Sequence, residues 1–416
     1  MIPSKFGSRA MAHLCRIVCG AFLVVTAGRL HAADWPSFRG PHGSGASEEA
    51  RIADTLKIRW SVPLQGRGLS SPVISGGKLF ITSATGPSQE QLRLSCLDGE
   101  NGKLIWERHL KATGRTMAHP KTSVAANTPC TDGKRIYALW SSNDLAAFDQ
   151  NGDLLWIRGL TEDYSNASNS LGMASSPILA GDTLVVMIEN DSESYSLGVD
   201  AKTGRNRWKL ERPKAANWTS PAIVPNSSGK NPDVILQSTK LVTAVDSVSG
   251  KIHWELPMNA SSMSSPVVAG NVAYVASSGI TALRLPSHGQ QPETVWNSRQ
   301  MNPATVSPLL LGSSLLSMNA AGVLMKASLT HGDILWKLRL TGPFSGSPVG
   351  AGERVLVVNE KGLVQIINTA APEGAVLSQF QLPLKEESKE LILSTPALSG
   401  EQVFVRSDST LWCLAP

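Results

Sequence analysis

Residues 175–211 read SSPILAGDTLVVMIENDSESYSLGVDAKTGRNRWKLE, and their alternation of short apolar runs and turns decides the fold. Ser176-Pro177 opens an apolar run to Ala180, and Gly181-Asp182 turns the chain. Pro suits a strand's first position, where its missing N–H does no harm. Leu184 to Ile188 is wholly apolar and rich in β-branched residues, the composition of a strand buried on both faces. Asn190 to Ser194 is a polar turn, and Tyr195 to Asp200 reads as a third strand. Lys202-Thr203-Gly204 makes a tight turn whose glycine can supply a positive φ. Arg207 to Leu210 is the fourth strand and carries Trp208. Four short strands joined by tight turns, with no helical period, make one small antiparallel sheet.

The same unit recurs along the chain. The tryptophan returns after an acidic-Gly turn in LDGENGKLIW (97–106), FDQNGDLLW (148–156), VDAKTGRNRW (199–208), VDSVSGKIHW (245–254) and SLTHGDILW (328–336). These copies end at Trp106, Trp156, Trp208, Trp254 and Trp336. Looser copies end at Trp60 and Trp296, and Phe380 takes the place in another. Between these lie Ser71-Pro72, Thr128-Pro129, Ser176-Pro177, Ser220-Pro221, Ser265-Pro266, Ser307-Pro308, Ser347-Pro348 and Thr395-Pro396. Two markers in strict alternation at a spacing of roughly 40–50 residues predict a repeat architecture. Four-stranded repeats of this kind build an all-β, eight-bladed β-propeller. Each tryptophan is expected to lie across the seam to the next blade, near a turn glycine, with one partner for its N–H. Asp98, Asp149, Asp200 and Asp246 recur once per blade, so they cap turns rather than form a carboxylate cluster.

The last repeat ends at Pro416 after three strands and has no Trp strand of its own. Residues 56–64, LKIRWSVPL, supply a spare one, and the expectation is that this N-terminal strand completes blade eight and closes the ring. Three regions follow: a signal peptide at 1–32, an N-terminal extension at 33–54 and the propeller at 55–416. The leader has Lys5, Arg9 and Arg16, then an apolar run from Ile17 to Ala27, too short to span a membrane. The extension is expected to pack along the propeller through Trp35 and Phe38, with Arg39 on backbone carbonyls.

Four of the 38 basic residues lie in that leader, leaving 34 against 33 acids and a net of +1 for the rest. Such a balance gives nucleic-acid binding no support. Cys96, Cys130 and Cys413 remain; Cys96 and Cys413 hold the position of Ala147 and Ala244 in other blades and read as small buried residues. A disulfide between them is the less favoured alternative. Cys-x-x-Cys, haem-attachment and zinc-finger spacings are absent from the sequence.

The pattern S-P-V-x-x-G … L-x-A-L-D-x-x-T-G-K-x-x-W resembles the pyrroloquinoline-quinone-like (PQQ-like) propeller repeat over roughly residues 55–416. The resemblance implies one of two branches. One comprises PQQ-dependent alcohol and glucose dehydrogenases, which need calcium beside the quinone and an acidic base. The other is the BamB-like branch, non-catalytic eight-bladed scaffolds of outer-membrane β-barrel assembly. The segment DWPSFRGP (34–41) also looks like the start of secreted PQQ-like proteins of the Planctomycetes type. The vicinal Cys-Cys pair found in many of the alcohol-oxidising members is missing, and the segments before each Ser-Pro are nearly free of acids, Glu390 being the exception. Fold alone does not carry the enzymes' chemistry. The expectation is therefore a secreted or periplasmic, monomeric, non-catalytic scaffold with no cofactor and no transmembrane segment. Its partner would be an envelope protein or a polysaccharide. A PQQ–calcium dehydrogenase and a carbohydrate-binding propeller are the alternatives.

Two loops break the repeat spacing, KATGRTMAHPKTSVAAN (111–127) and TEDYSNASNSLGMA (161–174). Insertions in repeat proteins collect on one face, often the binding face. Arg115, His119, Lys121, Asn127, Tyr164, Asn166 and Asn169, with Arg67 and Trp218 from neighbouring blades, are the candidate binding rim. The competing reading of the same residues is solvated loop surface.

Overall fold

The computed structural model describes residues 34–167, 171–225, 231–286, 290–385 and 390–416. The leader and Asn169 lie outside these residues. Eight sheets follow one another along the chain, each built on the same up-and-down order of four antiparallel strands. In blade three the strands are Ile178–Ala180, Thr183–Ile188, Tyr195–Asp200 and Asn206–Glu211. The second strand is buried at every residue. It packs on the neighbouring blade as well as on its own sheet partners, which is why Val, Leu and Ile dominate it. The fourth strand is the most exposed, with Trp208 its one buried residue. Among the described residues, helix is confined to one turn, Leu160–Asp163, and a 3-10 turn at Pro41–Gly43.

Ring closure runs through the N-terminal strand. Lys57–Pro63 pairs antiparallel with Thr410–Ala415, in register from Lys57 opposite Ala415 to Pro63 opposite Thr410.

The repeat tryptophans bridge to the next blade, but not all in one way. Trp106, Trp156, Trp208 and Trp296 donate Nε1–H to the carbonyls of Gln150, Ala201, Ser247 and Leu329 at 2.9–3.1 Å. Under the ring lies the next blade's turn glycine: a Cβ on Gly250 would come within 2.4 Å of Trp208. Trp60 and Trp336 cover Gly102 and Gly374 in the same manner, yet their indole N–H groups find no acceptor among the described residues, contrary to expectation. Beside Trp336, the Thr369 carbonyl, which holds the place of Gln150 and Ala201, accepts from Lys326 Nζ at 2.9 Å, as the Gln150 carbonyl accepts from Lys78 Nζ as well as from Trp106. Trp254 is buried in one cluster with Ala273, Val275 and Leu283 of blade five, and the turn that would face it there (287–289) lies outside the described residues.

Across its own sheet each tryptophan but one faces a small residue. Cys96 is opposite Trp106, Ala147 opposite Trp156, Gly198 opposite Trp208, Ala244 opposite Trp254, Ala282 opposite Trp296 and Cys413 opposite Trp60. The exception is Trp336, opposite Lys326. Cys96 and Cys413 are therefore small residues beneath indole rings. All three described cysteines are free and buried, and burial pushes the Cys96 and Cys413 thiols up to about 12.

The Ser/Thr-Pro marker does more than open a strand. The amides of Ser71, Thr128, Ser176, Ser220, Ser265, Ser307 and Ser347 each donate to the marker hydroxyl of the next blade, at 2.9–3.0 Å. Seven seams are thus tied around the channel. Where blade eight meets blade one, no such bond exists among the described residues. Arg406, fully buried, reaches across that seam instead, donating to Ser70 Oγ at 3.0 Å and to the Thr82 carbonyl at 2.8 Å.

One end of the channel is sealed by the chain's own extension. Trp35 exchanges backbone hydrogen bonds with Ile74 of blade one, and the Thr131 amide of blade two donates to Pro36. Ser37, Phe38, Arg39 and Gly43 pack against the innermost strands of blades three to five. Beyond them the Leu310 amide donates to Ser44, and Ala46–Ser47 adds a parallel fifth strand to blade seven. Arg51 N–H then reaches Gly400 in blade eight. The extension so contacts the inner strand, or the turn after it, in all eight blades. Trp35 is fully buried, and Gly40 (φ 71°) lies so close that a Cβ there would meet the indole at 2.6 Å.

Candidate functional site

The opposite end of the channel is open. It carries the connections that lead into each first strand, together with the turns between second and third strands. A cavity of about 590 Å³ opens there. Its floor is Phe38 of the extension and the hydroxyl ring of Ser71, Thr128, Ser176, Ser220, Ser265, Ser307, Ser347 and Thr395. Its wall is largely apolar, formed by Leu69, Leu171, Trp218, Met263, Met318 and Phe344. Apolar walls with a few placed polar groups are the usual make-up of ligand sites. Leu171 and Met263 are 44% and 46% exposed, large apolar side chains left at the rim.

The polar groups gather on one side. Lys121 Nζ lies 3.1 and 3.2 Å from the two oxygens of Glu360, and Ser345 Oγ donates to Glu360 at 2.7 Å. Lys121 comes from the loop before blade two and Glu360 from blade seven, so the pair reaches past blades eight and one. With the lysine side chain 59% exposed, the pair adds no more than about 1 kcal/mol to stability. Its charges stand at the edge of an apolar cup, where they can orient a ligand. His119 is held beside them: its amide donates to Leu171 at 3.0 Å, and its Nδ1 accepts from the Lys121 amide at 3.1 Å. The His119–Leu171 bond ties the two long loops together.

His119, Lys121 and Trp218 line the cavity, and Trp218 is fixed by its Nε1–H donating to Gly172 at 2.8 Å. The other described candidates lie elsewhere. Arg67 pairs with Asp408 at 3.3 Å and also donates to the Pro120 carbonyl. Burial pushes Asp408 up despite Arg67 beside it. Asn127 is buried and donates to Ser175 at 2.7 Å, tying blade two to blade three rather than facing solvent. Tyr164 packs against Tyr195 with ring centroids 4.5 Å apart and planes tilted by 50°, and accepts from Asn206 at 2.7 Å, on the outer side of blade three. The Asn166 carbonyl accepts from Ser192, and Asn166 borders an outer groove with Glu193, Glu211 and Lys214. Arg115 is exposed and directed to Met117 Sδ at 2.8 Å.

Glu360 is not one of the sequence candidates, because it lies outside the Ser-Pro approach segments. The turns between second and third strands share that face, and NEKG (359–362) is one of them. Glu390, the acid that the approach segments did reveal, is 7% exposed and structural. Burial drives its carboxyl up, but hydrogen bonds from Ser407, the Lys385 amide and Ser409 outweigh this and hold it below the usual range.

This lining does not fit a quinone–calcium pair. Calcium takes about 6–8 oxygen ligands with carboxylates among them. Among the described residues lining the cavity, the carboxylate is that of Glu360, already bonded to Lys121 and Ser345.

The family model described as outer membrane protein assembly factor BamB matches residues 50–222 and 198–416, nearly the whole propeller. The chain belongs to the BamB family. A curated relative, BamB of Moranella endobia (strain PCIT), is 24% identical over 203 residues, covering 47% of this chain and 43% of that protein. This chain thus aligns with less than half of that relative's length. Among solved structures, BamB from Moraxella catarrhalis superposes with a TM-score of 0.61 at 16% identity, covering 87% of this chain and 98% of that one. A europium-containing methanol dehydrogenase superposes at 0.67 with 12% identity, covering 92% of this chain and 98% of its own. The quinohemoprotein alcohol dehydrogenase of Comamonas testosteroni does so at 0.66 with 13% identity, over 92% and 80%. These likenesses establish the propeller, a fold shared by BamB and by dehydrogenases.

Proposed function

We propose that this BamB-family propeller is a secreted, non-catalytic scaffold of the cell envelope that holds a partner at the open mouth of its channel. The observation that carries the reading is the mouth itself: an apolar cup closed below by Phe38, with Lys121, Glu360 and His119 at one side. An apolar side chain of a partner segment would fill the cup while its polar neighbours meet the charged side. Met263 and Leu171 at the rim extend the apolar contact outward. No helix among the described residues is long and apolar enough to cross a membrane.

Titration of the purified protein with pyrroloquinoline quinone, with and without calcium, tests this reading against the dehydrogenase alternative. Intrinsic fluorescence of wild type and Trp218→Phe would localise any signal to the cavity wall. Absence of saturable binding is the expected result. Saturable, calcium-dependent binding lost in the variant would overturn the scaffold reading. The carbohydrate-binding alternative has Trp218 as its sole aromatic platform of the sequence candidates in the cup.

A further inference from the structure

On the face opposite the mouth, blade four carries three potential ligand side chains on three consecutive strands. They are Asp233 at the start of Asp233–Gln237, Asp246 at the end of Leu241–Asp246, and His253 in Ile252–Pro257. One ligand atom from each lies within 4.8 Å of the others, and His253 Nε2 is 3.2 Å from Asp233 Oδ1. All three side chains are partly buried.

Blade three fills the same position with its own cation. There the register-equivalent residues are Thr183, Asp200 and Arg207. Arg207 donates to Asp200 Oδ2 at 2.7 Å and to Thr183 Oγ1 at 2.8 Å, so the cluster contains its own cation. In blade four the guanidinium is replaced by an imidazole and the hydroxyl by a second carboxylate. Asp233 and Asp246 stand directly opposite each other in the strand ladder, where like charges oppose pairing. The trio goes from neutral to a formal charge of −2 with neutral His253. Asp246 Oδ1 is committed to its turn, accepting from the amides of Val248 and Ser249 and from Ser249 Oγ. It is the other oxygen of the equivalent Asp200 that takes the cation in blade three.

We propose that Asp233, Asp246 and His253 form a zinc-binding site on the sealed face. Zinc accepts this mixed nitrogen and carboxylate set, with donor atoms about 3.3 Å apart in a tetrahedron of bonds near 2.0–2.2 Å. Small side-chain rotations reach that from the present spacing. Calcium, which prefers all-oxygen shells, is a poor match for the imidazole. Three protein ligands on a rigid sheet leave the fourth position to water or to a group from outside the chain.

The test uses the full protein, stripped with chelator. Zinc is titrated by calorimetry and cobalt(II) by its visible d–d absorption. One equivalent is expected to bind, giving a tetrahedral cobalt spectrum. His253→Gln and Asp233→Asn should each weaken binding at least tenfold and abolish the cobalt spectrum; Asp246 is left intact because it caps its turn. The metal-free melting temperatures of both variants are the folding control. Equal affinity and stoichiometry in His253→Gln, or no saturable binding by wild type, would overturn the proposal.

Discussion

The two ends of the channel are built from the same eight repeats and have opposite characters. At one end the chain's own extension crosses the axis. It fills the space with Trp35, Phe38 and Arg39 and satisfies its backbone on blades one, two, six, seven and eight. At the other end the loops stand back from the axis and leave a cup of about 590 Å³ lined by Leu171, Trp218, Met263 and Phe344. The repeat supplies the ring, and the departures from the repeat decide which end is filled. The contrast separates roles: residues of the sealed end hold the fold, and residues of the open end are free to recognise.

The largest effect expected on this view comes from the sealed end. Trp35→Ala removes a fully buried indole with no space to collapse into, and should cost about 3–5 kcal/mol, read from urea or thermal unfolding. Gly40→Ala should also destabilise, since its positive φ and its contact with Trp35 both oppose a side chain. An unchanged melting temperature in either would break the comparison, for the extension would then be a tail.

Arg39 gives a second, smaller test. It is 1% exposed, and burial lowers its pKa to about 9, so it remains charged at neutral pH. Its guanidinium donates to the carbonyls of Ser44 and Pro308, tying the extension to blade six. Arg39→Ala removes the guanidinium's bonds to both carbonyls, although Ser44 keeps its bond from the Leu310 amide, and is expected to cost about 1–3 kcal/mol. Arg39→Met keeps the packing and removes the buried charge, so it should cost less.

A third test concerns acid. The folded protein holds the Glu390 carboxyl below its usual value of 4.5, so its contribution is complete above that value and is lost as pH falls through the folded one. Melting temperature should therefore drop below about pH 4.5, and Glu390→Gln should flatten that part of the profile while lowering stability at pH 7. An identical profile in the variant would assign the acid sensitivity to other carboxylates.

The smallest stability effects belong to the mouth. Lys121→Ala and Trp218→Ala should each change stability by no more than about 1 kcal/mol, because the lysine is exposed, Glu360 keeps its bond from Ser345, and the indole is only half-buried. If the mouth recognises a partner, both variants would instead weaken capture of that partner. A large loss of stability would place these residues with the sealed end.

The ring was legible because its signals are local. Ser-Pro, the acidic-Gly turn and the tryptophan lie within one repeat, and the missing last strand pointed to LKIRWSVPL at the other terminus. What escaped the sequence is what joins distant residues. Lys121 and Glu360 are 239 positions apart. The marker hydroxyls bond 40–57 residues away, so their ring is invisible in any one repeat. Trp336 carries the repeat's signature, yet its indole N–H meets no acceptor among the described residues, and a lysine rather than a small residue lies opposite it. Asn127 carries the composition of a surface amide, but it sits where a loop dives between blades and its side chain must pair with Ser175. Tyr164 follows a helical turn that carries it outward onto Tyr195. His119 and Lys121 escaped that fate because their loop is pinned at the rim by the His119–Leu171 bond.

The central claim is that the open mouth is where this propeller holds its partner. Photo-crosslinking in the native envelope tests it most directly, with a photoreactive residue at Met263 on the open rim or at Glu353, exposed on the sealed face. The account predicts a discrete adduct from position 263 that Trp218→Ala abolishes, and none from position 353. Adducts from position 353 alone would contradict it.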